Sequence, residues 1–88
     1  MKRYWVYILK SDSGKSLYVG VTSDLDRRLR QHERGEGSAF CRRYNIRHLA
    51  YTEEFSSPQD AIRREKQIKS WSRKKKERLI ANAIGPHD

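Results

Sequence analysis

The chain has 88 residues, enough for one domain and too few for two. Lys and Arg number 20 against 11 Asp and Glu, a formal charge of +9, and mean hydropathy is −1.04. A basic surplus of this size points to a polyanionic partner. No apolar run approaches the roughly 18 residues of a membrane span, and Lys10 breaks the first apolar stretch before it reaches signal-peptide length. A lone Cys41 leaves neither a disulfide framework nor a cysteine-built metal site. The expectation is a cytoplasmic, membrane-free domain over residues 1–84 with a short tail at 85–88.

Taken in chain order, Tyr4-Trp5-Val6-Tyr7-Ile8-Leu9 is aromatic and β-branched and predicts a strand. Ser16 to Val21 predicts a second, with Ser11-Asp12-Ser13-Gly14 as a four-residue hairpin loop. That loop sets Lys10 opposite Lys15 and Tyr7 opposite Tyr18, so both phenols share one face of the sheet. Ser23-Asp24-Leu25 opens a helix to about Arg34, where Gly35 and Gly37 stop it. Residues 35–47 are polar and irregular, with one helical turn near Phe40 to Tyr44. Leu49 to Phe55 predicts a third strand. Ser57-Pro58-Gln59-Asp60 starts a helix with a capping residue and a proline in its first turn, running to about Ser70. A last helix spans about Ser72 to Asn82. The order β-β-α-β-α-α predicts an α+β domain, a three-stranded antiparallel sheet flanked by helices.

Charge is unevenly placed: residues 61–81 hold nine Lys/Arg against two Glu, while 51–60 carry a net −3. Lys74, Lys75 and Lys76 point in three directions about 100° apart on a helix, so at least two must be solvated. With Lys69, Arg73 and Arg78 they are the candidate nucleic-acid-binding residues. The alternative is a basic face that serves solubility alone.

Polar groups on apolar helix faces carry more information. In the first helix Leu25 and Leu29 define the inner stripe, and Arg28 and His32 fall within the same arc, whereas Arg27, Arg30 and Gln31 face away. In the helix from Ser57, the arc of Ala61, Ile62 and Ile68 contains Glu65, with Lys69 beside it and Arg64 and Lys66 outside. Each has a structural reading as well: Arg28 snorkelling past the leucines, His32 capping locally, and Glu65 paired with Arg28. Together, Tyr7, Tyr18, Arg28, His32 and Glu65 compose a cleft suited to hydrolysing a phosphodiester. Glu65 supplies a carboxylate for one Mg²⁺ or Mn²⁺, Arg28 opposes charge growing on phosphate oxygens, and a phenol orients or deprotonates water once neighbours lower its pKa. There is no glycine-rich phosphate loop between strand and helix, no zinc-type histidine spacing and no protease-type cysteine signature.

Trp5-Val6-Tyr7 and Tyr18-Val19-Gly20, ten residues apart, then Arg28 four residues before His32, and then Glu65, together resemble the GIY-YIG nuclease superfamily. The likeness spans about residues 4–80 and is nearest to small stand-alone members that end in a Lys-rich, Trp-containing segment such as Lys69 to Lys76. Trp5 and Val6 stand where the family has Gly and Ile. Ile80 occupies the position of an asparagine that many larger relatives carry. The resemblance implies a divalent-metal-dependent endonuclease on DNA, structure- or repair-related. With no separate recognition domain it would lack strong sequence specificity, unless a protein partner supplies targeting. The alternative from another class is a non-catalytic nucleic-acid-binding accessory protein on a degenerate nuclease fold. A third is an RNA-binding module stacking bases on Trp5, Tyr51 or Trp71, against which stands plain core packing of those rings.

Overall fold

A computed structural model describes residues 2–84; the tail expected at 85–88 lies outside the described residues. The elements in order are β1 (Tyr4–Ser11), β2 (Leu17–Thr22), α1 (Leu25–Glu33), α2 (Ala39–Arg43), β3 (Ile46–Phe55), α3 (Pro58–Lys69) and α4 (Arg73–Ile84). The α+β class and the three-stranded antiparallel sheet stand as expected, with the turn near Phe40 realised as the five-residue α2. Strand order is β2-β1-β3.

β1 takes the centre because its residues can be buried on both sides. Val6, Tyr7, Ile8 and Leu9 are each 0–1% exposed, a continuous apolar run without polar alternation. Val6 and Ile8 face α3 and α4, packing with Val19, Ala61, Ile68 and Ile80. Tyr7 and Leu9 face the other way and pack with Cys41, Ile46, Leu25 and Leu29 of α1, α2 and β3. The sheet therefore separates two small cores, and the candidate tyrosines lie on the α1–α2 side.

The hairpin register differs from the expected one. Ser11 stays in the ladder: its N–H donates to Ser16 O at 3.0 Å, and Ser16 N–H donates to the Ser11 hydroxyl at 3.1 Å. The four-residue loop is therefore Asp12 to Lys15. Tyr7 stands opposite Gly20, and Tyr18 opposite Leu9. The slip is two residues, which preserves faces, so Tyr7 and Tyr18 still project to the same side. β3 begins three residues earlier than expected. It is kept in register by irregularities opposite Ile8/Leu9 and Lys10/Ser11. Its polar start is held by Arg47, which grips Asp12 with two hydrogen bonds.

Caps explain the helix limits. The Asp24 carboxylate accepts from Arg27 N–H, and the Ser57 hydroxyl from Asp60 N–H. α1 ends where Gly35 adopts φ +74°, with Gly35 N–H donating to His32 O and Glu36 N–H to Gln31 O, the paired bonds of a Schellman stop. α4 is tied to the hairpin by Arg73, which donates to the Gly14 and Lys15 carbonyls and to Glu77. Arg64, expected on the outer face of α3, instead turns inward. It pairs with Glu53 at 2.9 Å and lies over the Trp71 ring at 5.2 Å. Trp71 and Tyr51 pack against the core, as the packing alternative for those rings expected.

Candidate active site

The site starts from a missing side chain. A Cβ on Gly20 would lie 2.5 Å from both Cζ and Oη of Tyr7 and 3.0 Å from Cε2 of Tyr18. The Tyr7 ring therefore crosses its β2 partner through space that only glycine leaves open. Tyr18 flanks it with ring centroids 6.3 Å apart. The spacing of the two triplets in the sequence thus builds one object, a tyrosine from β1 laid over the glycine of β2.

α1 adds the imidazole. His32 is 6% exposed, with its ring centroid 6.3 Å from Tyr7 and 5.8 Å from Tyr18. Beyond the Gly35 stop the chain folds back so that Gly37 backs onto the same ring, where a side chain would collide with Nδ1. Neither ring nitrogen has a hydrogen-bond partner among the described residues, which argues against the local-capping reading. Burial, and then the charge of Arg28, hold its pKa below the ordinary value, so it stays neutral near pH 7.

Arg28 departs from its expected place. It is exposed rather than inside the Leu25–Leu29 stripe, and it makes no ion pair among the described residues. It lines a groove of about 310 Å³ with Thr22, Ser23, Asp24, Arg27 and Gln31. Arg27 and Gln31, expected to face away, are thus on its walls: long side chains at a helix start sweep more than one face. Glu65 does lie on the inner arc of α3, its side chain only 12% exposed, but Lys69 at 2.7 Å is its ion-pair partner, not Arg28. Ile62, the third expected member of that arc, is exposed.

The charges of Arg28 and Glu65 both act on the Tyr7 hydroxyl, Arg28 lowering and Glu65 raising its pKa. Tyr7, Tyr18 and His32 meet around one phenol, drawn from β1, β2 and α1, whereas Arg28 lies exposed in the groove beside them and Glu65 is held by Lys69 on α3. One chemical expectation needs correcting. Burial above all, and Tyr18 next, push the Tyr7 pKa well above its ordinary value of 10, outweighing Arg28. The neighbours do not lower it, so in the free chain Tyr7 is a protonated hydrogen-bond donor.

The expected basic face is only partly free. Lys69 and Arg73 are engaged with Glu65 and Glu77. Lys74, Lys75 and Arg78 are exposed, Lys76 is half-buried, and Lys75 Nζ lies 4.4 Å from the Trp71 ring centroid. Ile80 is 5% exposed within the α3–α4 core, so its position offers no polar group to the site. Sequence periodicity missed Gly20 and Gly37 as site makers, although a glycine inside a strand pattern signals close approach of another group.

Fold and site together define a class: a small α+β domain whose hairpin tyrosines meet a histidine of the next helix, which also carries an exposed arginine one turn earlier. Residues 3–78 match the GIY-YIG catalytic domain, and the chain belongs to the GIY-YIG family, a nuclease superfamily. It is similar to a UPF0213 protein of Natronomonas pharaonis, 43% identical over 82 residues, covering 93% of this chain and 95% of the relative. A UPF0213 protein of Staphylococcus aureus is 39% identical over 80 residues, 91% of this chain and 96% of the relative. The solution NMR structure of a UPF0213 protein from Bacillus halodurans, 39% identical, superposes with a TM-score of 0.62 over 97% of this chain and 89% of that one.

Proposed function

We propose that this chain is a divalent-metal-dependent endonuclease that hydrolyses phosphodiester bonds in DNA, structure- or repair-related and without strong sequence specificity. The observation that carries the reading is the gathering of Tyr7, Tyr18 and His32 over Gly20 from β1, β2 and α1, with Arg28 on the same helix as His32. No group of three or more His, Cys, Asp or Glu side chains gathers among the described residues. On this reading Mg²⁺ or Mn²⁺ is held through the single Glu65 carboxylate, which Lys69 pairs at 2.7 Å in the free chain, with water and substrate oxygens as the remaining ligands. When bound, the ion supplies charge to the scissile phosphate and its leaving oxygen.

The chain's own groups do the rest. Arg28, which lines the groove and has no ion pair among the described residues, offers a planar fork of donors to the phosphate oxygens as their charge grows. Tyr7 keeps its proton and offers its hydroxyl as a hydrogen-bond donor to water or to a phosphate oxygen, and Tyr18 flanks it. His32, neutral and with neither nitrogen hydrogen-bonded among the described residues, can accept a proton from water that enters. The test is cleavage of supercoiled, branched and single-stranded DNA with Mg²⁺ or Mn²⁺, comparing wild type with Glu65→Ala. Metal-dependent cutting by the wild type alone supports the reading. Binding without cutting in every case would favour the accessory-protein alternative.

A further inference from the structure

α2 leaves two large aromatic side chains in solvent. Phe40 is 49% and Tyr44 45% exposed, in a chain that has only nine aromatic residues with which to fill its cores. Spaced i and i+4, they sit side by side with ring centroids 4.9 Å apart and planes 53° apart. The inward residue of the same helix is Cys41, which packs with Tyr7, Leu9 and Ile46. α2 therefore stands on the active-site side of the sheet, and its Arg42 shares a small recess with His32. Arg43 lies 5.6 Å from the Tyr44 centroid. Arg42 and Arg43 make no ion pair among the described residues, whereas the neighbouring Arg34 and Arg47 are neutralised by Glu36 and Asp12.

Exposed rings beside guanidinium groups that no carboxylate neutralises among the described residues, Arg42 donating one hydrogen bond to the Gly35 carbonyl at 3.5 Å, match the two demands of an unpaired strand: a π-face for the base and cations for its phosphates. We propose that Phe40 and Tyr44 form a stacking platform for an unpaired nucleobase, with Arg42 and Arg43 holding the adjoining backbone. The site would then take single-stranded or locally unpaired nucleic acid in preference to intact duplex. This rests on the nuclease reading above and adds its substrate.

The test is fluorescence titration, in EDTA so that nothing is cut, of a single strand and a blunt duplex each carrying 2-aminopurine, whose emission falls when it stacks. Wild type should quench and bind the single strand. Phe40→Ala and Tyr44→Ala should each weaken that binding on the order of 5- to 150-fold and remove the quenching. Duplex affinity should fall far less, and Phe40→Tyr and Tyr44→Phe should restore both signals. Alanine variants that bind and quench like wild type overturn the platform while leaving the nuclease reading intact. A wild type that binds no nucleic acid at low salt overturns both. If the alanine variants abolish only a concentration-dependent dimer seen by sedimentation, the face belongs to a second copy of the chain and the proposal fails.

Discussion

Gly20→Ala perturbs the site while leaving every group assigned a chemical role in the sequence. The added methyl would lie 2.5 Å from the Tyr7 phenol carbon and oxygen, and ordinary contact begins at 3.4 Å, so the ring must retreat by about 0.9 Å. It has little room, being 1% exposed and flanked by Tyr18 and His32. Overpacking of this kind costs about 1–3 kcal/mol. For a domain of this size each kcal/mol lowers Tm by about 4–8 °C. A displacement near 1 Å at the reacting centre costs on the order of 10² in rate. Thermal melts give the first quantity, and single-turnover cleavage at saturating protein gives the second. In a Tyr7→Phe background the same glycine substitution should still lower Tm but reduce the rate little further, because the hydroxyl it displaces is already gone. A Gly20→Ala protein that melts and cuts like wild type would refute the placement of Tyr7 over Gly20 and its role in the reaction.

Four further outcomes are expected. Ile80→Asn, which restores the residue type of many larger relatives, should destabilise by about 3–5 kcal/mol in denaturant titration, because it buries an unpaired amide in the α3–α4 core; faster cleavage instead would contradict the core assignment. Arg73→Ala should lower Tm by loosening α4 from the hairpin carbonyls while leaving the salt dependence of DNA binding unchanged. Lys74→Glu with Lys75→Glu should do the reverse, flattening that dependence by roughly 0.9 log unit per lost phosphate contact. The depressed pKa of His32 makes the unfolded chain bind the extra proton first, so its contribution to stability is complete above about pH 6.5 and is lost as pH falls toward the folded value. Denaturant titrations between pH 7.5 and 5 should show a steeper loss for wild type than for His32→Gln.

Local patterning was legible where one residue decided an outcome. Asp24, Ser57, Gly35 and the apolar run of β1 each announced a cap, a stop or a buried strand, and the inward arcs of α1 and α3 pointed to His32 and Glu65. Partners were not legible, because they come from distant segments. Periodicity placed Arg64 outside, but Glu53 of β3 draws it in. The same reasoning set Arg28 inside, but the ends of β2 and α1 leave it a groove to occupy. Helical phase likewise gave Arg73 to nucleic acid, while the hairpin carbonyls claim it. The hairpin slip has a similar origin: Ser11 reads as a turn residue until its bonds to Ser16 are counted. Periodicity survived that slip because two residues preserve a face.

The most direct test of the central claim is the single-turnover cleavage rate of DNA already bound to the protein, with Mg²⁺, for wild type, Arg28→Ala and Glu65→Ala. The roles proposed for Arg28 and Glu65 predict that each substitution lowers the rate on the order of 10²–10³ while affinity for the DNA changes far less. Variants that keep the wild-type rate, or that lose binding and rate in equal measure, would contradict it.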